Sequence, residues 1–132
     1  MPKVKKVCGR VMSGVGKGRY YVKQKPYFTL FKSLLNHEPY LGTLNIEVSD
    51  GELRISDLPH RFKPCEFGEI KYALGEIGDL KILVLRPVKS IHPENVFEIV
   101  APINLREHFR LRDGDKIEFK IYIAEQRKRE SP

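Results

Sequence analysis

The sequence predicts a mainly β, single-domain protein folded as a closed or nearly closed barrel, and three observations lead there. Short segments alternate apolar with polar residues, the period of half-buried strands. Glycine and proline punctuate those segments at short intervals. Only one stretch carries the 3.6-residue period of a convincing helix. Many short strands in one domain favour closure, because a closed sheet leaves no unpaired edge.

Taken in order, Lys3–Met12 reads as the first strand, broken by Gly14, Gly16 and Gly18, and Tyr20, Tyr21 and Val22 are expected to resume it. Tyr27, Leu30, Phe31, Leu34 and Leu35 then recur at helical spacing and build one apolar stripe, which is expected to pack on the core. Pro26 suits the first turn of that helix, where a missing N–H is harmless, and Asn36 suits its C-terminal end. Leu44, Ile46 and Val48 alternate with Thr43, Asn45 and Glu47 as a strand whose apolar face is buried. Asp50-Gly51 signals a hairpin, with Leu53 and Ile55 beginning the return strand. Glu69–Leu74 and Leu80–Leu85 flank a turn marked by Gly75 and Gly78. Val96–Ala101 and Lys116–Ala124 are two further strands. A short second helix is expected after Pro102, with Leu105 and Phe109 on its inner side. Residues 1–132 are expected to form one domain without repeats or linkers, with about 126–132 expected as a polar, basic, frayed tail.

Length and charge narrow the classes of function. With 132 residues the chain can close a core without staples. No apolar run approaches the roughly 20 residues that span a bilayer, and Met1–Lys6 lacks the apolar stretch of a secretory signal, so a cytoplasmic protein is expected. Cys8 and Cys65 have no ligand neighbours at metal spacing and read as incidental thiols of a reducing compartment. Every charged residue before Glu38 is basic (Lys3, Lys5, Lys6, Arg10, Lys17, Arg19, Lys23, Lys25 and Lys32), within a net charge of +7. Such a field attracts a nucleoside triphosphate or a nucleic acid alike, and a solvated basic face has the same composition. His37, His60, His92 and His108 are scattered without a nucleophile, which argues against a histidine-based hydrolase.

Four stretches could carry chemistry. In Ser13-Gly14-Val15-Gly16-Lys17-Gly18-Arg19-Tyr20, alternate glycines let backbone N–H groups gather around an anion, with Lys17 and Arg19 adding charge. The spacing is neither a Walker A loop nor a dinucleotide-binding fingerprint, and a plain glycine-rich turn looks similar. Thr43 and Asn45 project from one strand face, roughly 6.6–7 Å apart along the chain. Two neutral oxygens there suit a magnesium ion already attached to phosphates, or simply a solvent-facing pair. Glu98 interrupts the apolar run Val96–Val100, eight positions after Ser90; pattern alone favours a solvated face, and placement for hydrogen bonding is the alternative. Ala101-Pro102-Ile103-Asn104-Leu105-Arg106 leads into the second helix, where free N–H groups and the Arg106 guanidinium can meet an oxygen-rich ligand. Leu111-Arg112-Asp113-Gly114-Asp115 reads as a structural turn into the closing strand.

Together and in register, Ser13–Tyr20, Glu38–Asn45, Glu98–Glu107 and Leu111–Asp115 resemble the archaeal CTP-dependent riboflavin kinases, and the resemblance runs from Lys3 to about Ile123. It implies a six-stranded cradle-loop barrel of Greek-key character. It further implies that Gly14, Val15, Gly16, Lys17, Gly18 and Arg19 wrap the phosphates of CTP or CDP, and that Thr43 and Asn45 hold Mg2+. Ile103, Asn104, Leu105 and Arg106 would contact the cytidine end. Ser90 and Glu98 would meet riboflavin or FMN, with Glu98 the catalytic candidate; Ser90 stands where the family usually carries threonine. A monomer without membrane or nucleic-acid partners is expected. A β-barrel nucleic-acid-binding regulator and a flavin-binding barrel without kinase activity are the competing readings. The first would leave the glycine cluster and the Thr43/Asn45 pair without roles.

Overall fold

A computed structural model describes residues 3–13, 22–90 and 92–123. Strand β1 (Lys3–Met12) is followed by helix α1 (Lys25–Leu35), β2 (Leu44–Val48) and a 3-10 turn at Ile55–Asp57. Then come β3 (His60–Phe62), β4 (Ile70–Ile77), β5 (Leu80–Pro87), β6 (Val96–Val100), the short α2 (Leu105–His108) and β7 (Lys116–Ile123). Six strands close in the ring β1-β2-β6-β5-β4-β7, every pairing antiparallel, and β3 adds to one stretch of β4. The expected six-stranded barrel with one longer and one shorter helix is therefore the architecture found.

Closure depends on β4 changing neighbours along its length. Ile70–Tyr72 pair with β3, whereas Gly75 and Glu76 pair with Ile121 and Lys120 of β7. The strands approach so closely at this seam that a Cβ on Gly75 would lie 2.4 Å from the Lys120 carbonyl oxygen. Only glycine fits there without moving backbone.

Alternation sorts the side chains into two apolar clusters. Val7, Val11, Leu44, Ile46, Val48, Ile82, Val84, Phe97, Ile99 and Phe119 fill the barrel interior. Leu83, Leu85 and Val100 point the other way and meet Tyr27, Phe31 and Leu35 of α1 on the outer wall. Strand β5 is thus buried on both faces, which explains its unbroken Ile82-Leu83-Val84-Leu85 run. The α1 stripe is core, as expected. Pro26 stands in the first turn, and Asn36 ends the helix in the left-handed conformation, φ 57° and ψ 32°.

Several expectations are corrected. Leu53 and Ile55 begin no return strand, because β2 is already flanked by β1 and β6. Instead the chain folds through Ile55–Asp57, and Leu53 and Leu58 plug the interior cluster. Gly75 lies within β4 rather than in the turn, which falls at Gly78-Asp79. Val22 is helical, not extended, and the rest of the Tyr20–Val22 expectation lies outside the described residues. Leu105 is buried beneath α2, but Phe109 is 42% exposed. No helix among the described residues is long and apolar enough to cross a membrane.

Candidate active site

One end of the barrel gathers most of the described residues of the singled-out stretches. There β1 ends at Met12, β2 begins at Leu44, β6 ends at Val100 and β7 begins at Lys116. Cross-strand register pairs Asn45 with Met12 on one side and Glu98 on the other. Leu44 and Ile46 face the interior, so Asn45 faces outward, and its flanking partners share that face. Directly opposed residues have Cβ atoms about 5 Å apart, which puts the Asn45 amide and the Glu98 carboxylate within reach of a common ligand. Thr43 and Asn45 are half-buried.

Glu98 departs from the solvated-face reading. It is only 8% exposed. The outer wall of β6 is covered, and a carboxylate so enclosed is held by polar or charged neighbours. Its cross-strand partner on β5 is Leu85, and the next residue, Arg86, feels its charge.

Hydrogen bonds then tie the loops of this end together. The Ser13 hydroxyl bonds the Asp113 carboxylate, whose other oxygen lies 3.1 Å from the Arg106 guanidinium. Arg106 also reaches the Met12 carbonyl at 3.4 Å. The Ser13 bond, with support from Arg106, lowers the Asp113 carboxyl pKa against the opposing effect of desolvation. Gly114 adopts φ 93°, and its N–H donates to the Val11 carbonyl at 2.7 Å, so the turn before β7 docks on the end of β1. Asp113 therefore does more than shape a turn: it links the segment entering the glycine-rich loop to α2.

Asn104 caps α2 by accepting the Glu107 N–H at 3.2 Å, which fixes its amide orientation. The Asn104 amide nitrogen donates to the Tyr40 hydroxyl at 3.1 Å, and the Tyr40 N–H donates to the Ala101 carbonyl at 2.8 Å. Tyr40 thus clamps the Pro39–Thr43 approach to β2 against the Ala101–Asn104 segment. Ile103 packs at the rim of the interior cluster and Leu105 is buried, so the exposed functionality of this stretch comes from Asn104 and Arg106.

Ser90 sits elsewhere, in the β5–β6 connection at the opposite end of β6, and its hydroxyl accepts the His92 N–H at 3.1 Å. Gly14, Val15, Gly16, Lys17, Gly18 and Arg19 lie outside the described residues. Residue types alone did not assign Ser13, Tyr40, Asp113 or Arg86. Tyr40 and Asp113 stand inside singled-out motifs, and Arg86 is the lone cation ending the apolar run of β5.

A metal ion fits this donor set only in part. Among the described residues no three His, Cys, Asp or Glu side chains gather into a metal cage. Asn45 stands opposite Glu98, and its neutral oxygen beside a carboxylate is a hard-donor pair of the kind that suits a magnesium ion completing its shell with water and phosphate; Thr43, two residues before Asn45, would add a further neutral oxygen.

Comparison with known proteins follows the same residues. A family model named for CTP-dependent riboflavin kinase, and described as a domain of unknown function, DUF120, matches residues 11–121. A riboflavin kinase of Sulfurisphaera tokodaii is 34% identical over 136 residues, covering 92% of this chain and 98% of its own. Riboflavin kinases of Thermococcus kodakarensis and Pyrococcus furiosus are 34% and 35% identical over 87% and 86% of this chain. The chain spans only 58% and 57% of the length of those two relatives. The matched span runs from the end of β1 to the closing strand and so contains the whole polar end of the barrel: the chain belongs to the CTP-dependent riboflavin kinase family.

Proposed function

We propose that this chain transfers the γ-phosphoryl group of CTP to the 5′-hydroxyl of riboflavin, giving FMN and CDP. The observation that carries the reading is the register that sets Asn45 between Met12, which leads toward the glycine-rich loop, and Glu98. On this reading the metal-binding Asn45 and the acceptor-orienting Glu98 stand on adjacent strands, beside the strand that leads into the phosphate-binding segment. Gly14–Arg19 would wrap the phosphates with backbone N–H groups, and Lys17 and Arg19 would neutralise them. Mg2+ held by Thr43 and Asn45 would supply further charge stabilisation to the phosphates. Ile103–Arg106 would contact the cytidine end, with Asn104 pre-oriented by Tyr40 and Glu107.

Glu98 would orient the ribityl 5′-hydroxyl and accept its proton as the new O–P bond forms. The bond from the γ-phosphorus to its bridging oxygen breaks, and CDP departs with those electrons. Positioning and electrostatics dominate such transfers, so a strong base is not required. Ser90 would give the flavin a second polar contact. The reading takes the chain to act as a cytoplasmic monomer without a nucleic-acid partner.

The test incubates the protein with riboflavin, Mg2+ and each of the four nucleoside triphosphates. FMN formed best with CTP is the expected result, and none with any nucleotide overturns the reading. Asn45→Ala and Thr43→Ala are each expected to lower turnover at limiting Mg2+ by about 10- to 100-fold, with partial recovery at high Mg2+. Unchanged turnover removes the metal assignment.

A further inference from the structure

Arg86 is the one cation among the described residues buried in the fold, at 5% exposure, and the reaction outlined above does not use it. It follows Leu85, the cross-strand partner of Glu98, and it is the last residue but one of β5. Alternation turns it toward the barrel interior, on the side of Ile82 and Val84. Its guanidinium reaches past the strand end into the β5–β6 connection. One terminal nitrogen donates to the Pro93 carbonyl at 2.6 Å and the Val96 carbonyl at 2.7 Å, and the other donates to the His92 carbonyl at 2.8 Å. The Nε–H has no partner among the described residues.

Two carbonyls of the β5–β6 connection and one from the first residue of β6 thus converge on one planar cation. A lysine could not reproduce this, because its ammonium lacks the fixed fork of donors. Burial lowers the Arg86 pKa, while the charges of Glu98 and Glu94 act in the opposite direction.

His92 makes the connection to Ser90. Its carbonyl is held by Arg86, and its N–H donates to the Ser90 hydroxyl oxygen at 3.1 Å. That bond occupies a lone pair of Ser90 and leaves its O–H to donate elsewhere. Glu98 stands on β6 two residues after Val96, whose carbonyl Arg86 also holds. The same guanidinium therefore braces the backbone on the Ser90 side and on the Glu98 side.

We propose that Arg86 is a positioning residue for the flavin, setting Ser90 and Glu98 in one geometry through the backbone of His92, Pro93 and Val96. The proposal rests on the riboflavin reading above. Arg86 does not touch the substrate; it acts through the two residues that do. The nucleotide side of the site is braced separately by Asp113, Arg106 and Tyr40, so the effect is confined to one substrate.

The test uses Arg86→Met, Arg86→Lys and Ser90→Ala in the full chain, together with the double variant Arg86→Lys/Ser90→Ala. KM for riboflavin is expected to rise about tenfold or more in Arg86→Met while KM for CTP stays within about twofold, with Arg86→Lys between that variant and wild type. In the double variant the riboflavin penalties are expected to be far less than multiplicative, because one change has already disabled the contact that the other supports. Arg86→Lys is read alone if Arg86→Met does not fold. Parallel loss of both substrates, an unchanged riboflavin KM or multiplicative penalties would each overturn the proposal. Riboflavin binding by the unaltered protein is measured first by fluorescence quenching. Its absence overturns the kinase reading and this proposal with it, whereas binding that every Arg86 variant retains overturns this proposal alone.

Discussion

At one end of the barrel Ser13, Asp113 and Arg106 tie three segments together through exposed side chains, whereas at the other a buried guanidinium ties one loop down through its backbone. The Arg106 and Asp113 side chains are 41% and 55% exposed, so water competes for each of their bonds. Arg86 is almost wholly enclosed, so water competes less for the bonds it makes. The difference matches what each end is proposed to do. A segment that admits and releases a nucleotide needs ties that can be remade, while a contact that fixes an acceptor hydroxyl needs one that does not yield.

The largest expected effect comes from removing the buried tie. Arg86→Met removes three hydrogen bonds to backbone carbonyls, of which, among the described residues, only the Pro93 carbonyl keeps a second donor, the Val96 N–H. The substitution is expected to cost about 3 kcal/mol, or roughly 10 °C in Tm for a domain of this size. Thermal unfolding of the variant beside wild type measures it. A change no larger than that of an exposed substitution would show that water replaces the guanidinium at little cost, and the contrast between the ends would disappear.

Next comes the seam that holds the two ends in register. Gly75→Ala forces β4 and β7 apart where a Cβ meets the Lys120 carbonyl, and is expected to cost about 2 kcal/mol. Chemical denaturation measures the loss. Unaltered stability would mean that the barrel opens at this seam without strain.

The smallest effects concern pH. Burial tends to raise the Asp57 pKa, but the Arg54 N–H and Lys5 outweigh it and hold that carboxyl below its ordinary value near 3.8. Asp113 is likewise lowered, chiefly by the Ser13 hydroxyl. Because folding depresses both pKa values, their contributions are present above the unfolded pKa and fade as pH falls through the folded one. Wild-type Tm is therefore expected to drop below about pH 4, less steeply in Asp57→Asn and Asp113→Asn. Acid limbs identical to wild type in both variants would remove these carboxylates from the account.

The same contrast separates what was legible in the sequence from what was not. Strands β1, β2, β4 and β7 follow from local alternation, β5 and β6 from short apolar runs, and α1 from its stripe, Pro26 and Asn36. Strand β3 escaped notice because His60-Arg61-Phe62 is too short to show a period and exists by pairing with β4. Leu53 and Ile55 misled because apolar residues after Asp50-Gly51 look like a returning strand, while the interior of the barrel claimed Leu53 instead. Thr43 and Asn45 were singled out because oxygens at alternate positions of one strand are a local pattern, although the strand begins at Leu44 and only Asn45 stands in it. Arg86 and Asp113 could not, since their partners lie on other segments and one of Asp113's is 100 residues away.

By itself the sequence determined the elements that obey a period, the basic character of the first third of the chain, and the ordered motifs that resemble a riboflavin kinase. Tertiary structure alone decided that Glu98 is enclosed rather than solvated, that Asn45 stands between it and the end of β1, and that Arg86 holds the loop of Ser90. The reason is physical. Periodicity reports which face of an element avoids water, but the register between distant strands and the burial of a charge depend on which segments close the barrel around them.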